Sequence, residues 1–377
     1  MRTLYLHGSS DHYGSAKVLL QILQVGDNAQ HAHVILPHDG RLVSDLKSLG
    51  VPVTLLNMGV LRRKYLTPWG VMGRVVLWIY ATIQLRQLIQ RERIERVYVN
   101  SANVVIGSLL RNKNTPLIWH LHEIVEHPLI LRNFLSFLLR RADLLIGVSK
   151  ATCDHWSRCT GKKVKLVYNG INISSFQPTT YKLQPATTLG VLGRIQPWKG
   201  QHYMLEIMKT IHLQPTTHNL QLLISGSAFP GYEHLEQELM DKIHQMNLSQ
   251  IVKFIGYTED VPVFMSSIDL LVLPSVLPDP LPTVVLEAMA AGKPVLATAQ
   301  GGALEMIEEH ETGRFMPIGN VSVAVAILQE MISNPEKMKE MGQKGRMRVQ
   351  ALFSPDAFAK NWSAVTKAVP RGTTLRS

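Results

Sequence analysis

The sequence predicts an α/β protein with two doubly wound parallel sheets facing each other across a cleft. Three observations carry this. Short apolar, β-rich runs alternate with longer helix-like segments from one end of the chain to the other, the pattern of strands covered on both faces by crossover helices. The alternation breaks once, over residues 169–185, where Asn, Gly, Ser, Thr and Pro replace any sustained periodicity and a linker is expected. The chain has 377 residues, 46% hydrophobic and 18% charged. That is enough for two cores and far from a disordered composition.

In the first half the strand candidates are residues 3–7, 33–37, 53–56, 96–100, 117–121 and 144–148. A second series covers 188–195, 220–225, 252–257, 270–274 and 295–298, with helical stretches near 201–212, 232–246, 262–267, 283–291 and 324–333. The expected organisation is a Rossmann-like N-terminal domain over 1–170, a linker over 171–186 and a Rossmann-like C-terminal domain over 187–355. A closing helix and tail over 356–377 should pack back toward the first domain. Ligands of such sheets sit beyond the carboxyl ends of the strands, so the strand-end loops should hold the chemistry.

The net charge is +11. It suits an anionic partner, whether nucleic acid, a phospholipid surface or a phosphorylated small molecule, and alone chooses none of them. Cys153 and Cys159 lack a CxxC spacing, so neither a disulfide framework nor a metal site follows, and a reducing cytoplasm is expected. The first residues, MRTLYLHGSSDHYG, read as a strand entering a polar loop, not as a signal peptide. No run reaches the roughly 18 uninterrupted apolar residues of a spanning helix. Residues 71–83 come nearest, interrupted by Arg74 and bracketed by Arg62, Arg63, Lys64, Arg86, Arg91 and Arg93. Two readings of this stretch stand. It is a buried helix with solvated ends, or a surface resting on an anionic leaflet with Trp69, Trp78 and Tyr80 near the headgroups. The second reading makes the protein peripheral at the inner face of a membrane.

Four features of the second half fall at strand ends. The strand LGVLGRI runs into Gln196-Pro197-Trp198-Lys199-Gly200 and then a helix. Arg194 and Lys199 thereby flank a helix amino terminus, where free N–H groups, the helix dipole and two cations suit a diphosphate. The strand LLVLPS runs into a loop with three prolines that can hold Asp279 rigidly. The helix after it opens at Thr283 and Val284 and carries Glu287 among apolar neighbours. Carboxylates there suit vicinal sugar hydroxyls; the alternative for Glu287 is a structural carboxylate paired with a cation. Gly301-Gly302 permit close backbone approach to a ligand, or serve only a tight turn. Finally, the loop at Tyr257 can edge a planar base, and Ser225-Gly226-Ser227 is a comparable strand end.

In the order GRIQPWKG, FIGYTEDVPVFMSSIDLLVLPS, DPLPTVVLEAMAAGKPVLAT and GGALEMIEEHETGRF, the carboxyl-terminal half resembles the GT-B glycosyltransferases of family 4. The first half adds HYGS at 12–15, WHLHE at 119–123, Ser149-Lys150 and YNGIN at 168–172. The resemblance implies that Arg194 and Lys199 neutralise the diphosphate of a nucleotide-sugar donor. It implies that Glu287, the second acid of the E-x7-E element, binds the ribose hydroxyls. Asp279 stands where the first glutamate is usual and faces the donor sugar. His122 matches the histidine that approaches the sugar near the reacting carbon, and Gly14 the glycine that closes near the phosphates. His122 and Asp279 are thus the catalytic candidates. Gly14, Arg194, Lys199, Gly226, Tyr257, Thr283, Val284 and Glu287 form the expected donor-binding set. Two departures stand out. Asp279 is one methylene shorter than the usual glutamate, and Pro282 replaces a usual glycine and removes its N–H. A variant donor pocket is expected.

Departure of the diphosphate builds negative charge that Arg194, Lys199 and the helix terminus can stabilise without a divalent ion. No Asp-x-Asp ends a strand and no His/Cys cluster has ligand spacing, so no metal and no cofactor beyond the nucleotide-sugar co-substrate is expected. The resemblance implies retention of anomeric configuration. It implies transfer of a hexose or deoxyhexose to a saccharide or lipid-linked saccharide in cell-surface polysaccharide assembly. No hydrolase-type carboxylate pair is identifiable, so no covalent nucleophile or general base is assigned. Two rivals remain: a GT-B sugar-nucleotide epimerase or hydrolase that serves no acceptor, and a basic nucleic-acid-binding protein. Against the latter, no recognition helix or stacking platform is found, and no nucleic-acid partner is expected.

Overall fold

The computed structural model describes residues 1–11, 14–62, 65, 67–177, 186–214, 219–229 and 231–367. His12, Tyr13, Arg63, Lys64 and much of the expected linker lie outside the described residues. The chain forms two compact units: Met1–Gly170 with the helix Pro355–Thr366, and Ile171–Ser354.

Among the described residues the first unit holds a seven-stranded sheet, from β1 (Thr3–His7), β2 (Ala32–Leu36), β3 (Val53–Leu55), β4 (Arg96–Asn100), β5 (Leu117–Leu121), β6 (Leu144–Gly147) and β7 (Val164–Leu166). Its order is β3-β2-β1-β4-β5-β6-β7, and every pairing is parallel. Among its described residues the second unit has six strands, β8 (Ala186–Leu192), β9 (Asn219–Ser225), β10 (Val252–Phe254), β11 (Leu270–Leu273), β12 (Val295–Thr298) and β13 (Gly313–Met316). Their order is β10-β9-β8-β11-β12-β13, again all parallel. These are two Rossmann-like sheets of the GT-B class. Each reverses its strand order once, at β1/β4 and at β8/β11, and those reversals open the crevices where α/β sheets bind ligands.

The central strands are apolar and buried along their length, as in TLYLH and LIWHL, because helices cover both faces. The two strands that periodicity missed, β7 and β13, are sheet edges of three and four residues. Lys165 and Arg314 interrupt their apolar pattern, as is usual for an edge. The helix Pro355–Thr366 closes the first unit. Its Phe358 and Trp362 are buried with Tyr5, Tyr98 and Ile118, and the Trp362 ring meets Tyr98 edge-on at 5.5 Å between centroids.

The stretch around residues 71–83 lies within one helix, Pro68–Arg91, whose Thr67 cap accepts from Gly70 N at 3.1 Å. The reading of it as a buried helix with solvated ends fails for one face. Ala81, Leu85, Leu88 and Ile89 are buried, whereas Met72, Val76, Ile79 and Ile83 are exposed.

Candidate active site

In the second unit the loop after β8 is bound to the end of β11. Gln201 Nε2 donates to Arg194 O at 2.8 Å, folding the loop onto the first turn of the helix Gln201–His212. Gly200 follows the 3-10 turn Pro197–Lys199 at φ +75°, and a Cβ there would lie 1.8 Å from Pro274 O. Only glycine permits that approach. Val276 N then donates to Trp198 O at 2.8 Å. This join brings Lys199 to the proline loop, where its Nζ pairs with Asp279 Oδ2 and stands 4.4 Å from the Trp198 ring centre. Both side chains of the pair are largely buried. The Arg194 guanidinium lies over the Phe229 ring at 3.7 Å.

The helix Thr283–Ala290 starts directly after Pro282, which offers no side-chain cap. The amides of Thr283 and Val284 therefore open the helix ahead of its first i→i−4 acceptor, and Glu287 follows one turn later, nearly buried. Gly301 and Gly302 pack on the proline loop. A Cβ on either would lie 2.3 Å from a backbone oxygen, of Asp279 and Pro280 respectively, and Gly302 N donates to Asp279 O at 2.8 Å. The chain itself uses their small size. The same holds for Gly226, whose Cβ position lies 1.8 Å from Gly193 O and whose N–H donates to Gly256 O at 2.9 Å. Tyr257 is exposed just beyond β10. Sequence reasoning missed Ser275, Thr298 and Gln300. Thr298 Oγ1 and Gln300 Nε2 each donate to Ser275 O at 2.6 Å, and Ser275 Oγ is buried without a hydrogen-bond partner among the described residues. Their only signal was a serine closing the apolar run LLVLPS.

His122 and Gly14 belong to the first unit. Gly14 begins the helix Gly14–Gln24, and a Cβ there would meet nothing within 4 Å. His122 lies just past β5 in a cluster of imidazoles at the β1/β4 reversal. Asn100 organises it. Its Nδ2 donates to Ser15 O at 2.8 Å and to His7 Nδ1 at 3.0 Å, which turns Oδ1 toward His122 Nε2 at 2.7 Å. His122 must then carry its proton on Nε2, leaving Nδ1 as the bare nitrogen. Tyr98 OH meets His120 Nδ1 at 2.6 Å, and the His120 and His122 rings lie 4.3 Å apart. Burial pushes His7 down to about 4 and His120 to about 3. Burial, then the neighbouring His120 and His7, hold His122 well below the ordinary imidazole value. The cluster is neutral near pH 7. Glu123 is structural: it accepts from Ser101 Oγ at 2.6 Å and Ala102 N at 3.1 Å, although burial raises its pKa. Ser149 caps the helix Lys150–Thr160 through Thr152 N at 3.1 Å. Among the described residues no group of three or more His, Cys, Asp or Glu side chains is placed to hold a metal ion.

Two family models match this chain, one for each half. "Glycosyltransferase Family 4" matches residues 14–175, and "Glycosyl transferases group 1" matches residues 180–348. The chain belongs to the family 4 glycosyltransferases. Among curated relatives, an uncharacterized glycosyltransferase of Haemophilus influenzae is 26% identical over 75% of this chain and 79% of its own length. A lipopolysaccharide core biosynthesis mannosyltransferase of Rhizobium meliloti is 24% identical over 63% of this chain and 68% of its own length. Others are matched over 58% and 54% of theirs. Among solved structures, an Anabaena protein crystallised with UDP and with UDP-glucose superposes with TM-scores of 0.81 and 0.80 at 24% identity. In the UDP complex the match takes in 98% of this chain and 100% of that one. At that identity the likeness establishes the fold of this glycosyltransferase family member.

Proposed function

We propose that the protein transfers a hexose or deoxyhexose from a nucleoside-diphosphate sugar to a saccharide or lipid-linked saccharide acceptor, in cell-surface polysaccharide or glycoconjugate synthesis. The observation that carries this is the constellation flanking the β8/β11 reversal. Lys199 is paired with Asp279 there; Arg194 precedes Lys199 in the loop after β8, and the helix Thr283–Ala290, carrying Glu287, begins four residues after Asp279. A diphosphate leaving group gains negative charge as its bond to the sugar breaks. Two cations and the oriented amides of a helix start stabilise that charge without reorganising. We assign them the part a divalent ion plays elsewhere. Glu287 takes the ribose hydroxyls and Asp279 a sugar hydroxyl. Gly14, Gly226 and Tyr257 stay assigned to donor binding. In the first unit His122 is the catalytic candidate, because its bare Nδ1 can accept a hydrogen bond from a sugar hydroxyl. Retention of anomeric configuration is part of the proposal and rests on the family resemblance.

The test has two steps. A thermal-shift screen of UDP-, GDP-, dTDP- and ADP-sugars should single out one base, with UDP-sugars first because the Anabaena protein was crystallised with UDP and UDP-glucose. Incubation of that donor with saccharide and lipid-linked acceptors should then form a new glycosidic bond, unaffected by EDTA. Donor that is only epimerised or hydrolysed would assign the rival activity, and loss in EDTA restored by Mn²⁺ or Mg²⁺ would overturn the cation assignment.

A further inference from the structure

The helix Pro68–Arg91 carries apolar side chains on two faces. Ala81, Leu85 and Ile89 enter the core, while Met72, Val76, Ile79 and Ile83 hold helical spacing on the exposed side, with Trp69 79% exposed near the amino end. The helix Leu129–Leu139 repeats this. Leu135 and Leu139 are buried, whereas Ile130, Phe134 and Phe137 point outward, Ile130 at 80% exposure. Phe134 stacks on Trp78 with 6.4 Å between ring centroids, so the two outward stripes adjoin in one surface of the first unit. Surfaces that stay in water rarely leave so much contiguous apolar area uncovered.

The segments that carry this surface are basic, and the nearest acids in sequence, Asp45, Glu92, Glu126 and Asp143, only border them. Residues 46–91 and 127–142 contain no Asp or Glu. Arg62, Arg86, Arg140 and Arg141 are exposed, and Arg74 lies over the Tyr65 ring at 3.8 Å. A second copy laid on this face would set arginine against arginine. A layer of anionic headgroups over acyl chains complements both properties at once. No described helix is long and apolar enough to cross a membrane.

We propose that the paired faces of Pro68–Arg91 and Leu129–Leu139 seat the protein on an anionic phospholipid surface, with the apolar stripes at the acyl boundary and the arginines among the phosphates. The proposal is independent of the donor chemistry above. Flotation of the full chain with vesicles of phosphatidylcholine alone, or of phosphatidylcholine with phosphatidylglycerol, tests it. Binding is expected to the anionic vesicles and to weaken with salt. Ile79→Glu combined with Phe137→Glu should lower it about tenfold or more. Both side chains are exposed, so the thermal melt of this variant should match wild type. Equal flotation of the double variant, absence of flotation, or equal binding to neutral vesicles each overturns the proposal. So does a wild-type dimer in light scattering that the double variant converts to monomer, which would assign the face to a second copy.

Discussion

Lys199 and Asp279, eighty positions apart in the chain, form an ion pair at the ends of β8 and β11. Sequence reasoning gave them separate duties, the diphosphate to one and the donor sugar to the other. The pairing couples those duties. While Asp279 holds the ammonium, it orients Lys199 and also competes with any phosphate for it.

Removing either partner should therefore have unequal effects. Lys199→Ala should lose nucleoside-diphosphate affinity and about a hundredfold or more in transfer rate, the scale of one charged transition-state contact. Asp279→Asn should leave nucleotide affinity unchanged or tighter, because the lysine is released, while transfer slows. Calorimetric titration with the nucleoside diphosphate, set beside initial rates, separates the two. Equal loss of affinity in both variants would contradict the coupling.

Asn100 acts on His122 without being placed to touch substrate. By accepting from His122 Nε2 at 2.7 Å it leaves Nδ1 bare. Asn100→Ala frees the ring to adopt either tautomer and should lower kcat about tenfold, the worth of one hydrogen bond to a polar group, with donor KM little changed. Asn100→Asp should draw a proton onto the imidazole and move the acid limb of the pH–rate profile upward. A purely structural role would lower the melting temperature and leave that limb in place.

Acid should destabilise the fold through the same cluster. His7 is held near 4 and His120 near 3 by burial, whereas an unfolded chain protonates imidazoles at about 6.5. Between those values the unfolded state binds more protons, so stability is complete above about pH 6.5 and falls as the pH drops toward 4 and below. The melting temperature should follow that course, with a shallower fall in His120→Phe. A flat profile from pH 7 to 4 would count against neutral buried imidazoles.

Gly200→Ala should be among the costliest single-methyl additions in the second unit. The position has φ +75° and a Cβ there would sit 1.8 Å from Pro274 O. Positive φ alone costs a non-glycine residue about 1–2 kcal/mol, and the clash adds to it. Chemical denaturation should show a loss of about 2 kcal/mol or more, and donor binding should weaken because the Lys199 loop is displaced. Gly14→Ala is the contrast, with open space at its Cβ position.

What the sequence by itself determined is what depends on local pattern. Buried parallel strands announce themselves as short apolar runs, so β1, β4, β5 and β12 begin and end where the pattern says. The polar edges β7 and β13 did not, because their burial comes from neighbours and not from their own composition. The motif order GRIQPWKG to DPLPTVVLEAMAAG likewise fixed the family and the residues flanking the β8/β11 reversal. Tertiary structure decided the rest. Only the strand order brings Asn100 to His122 across twenty-two positions and sets that imidazole's tautomer. Only the folded loop shows that Gly301 and Gly302 serve backbone packing on Asp279 and Pro280. The helix Pro68–Arg91 is apolar on two sides, and periodicity cannot tell which side the core will take, since both present the same chemistry to the chain.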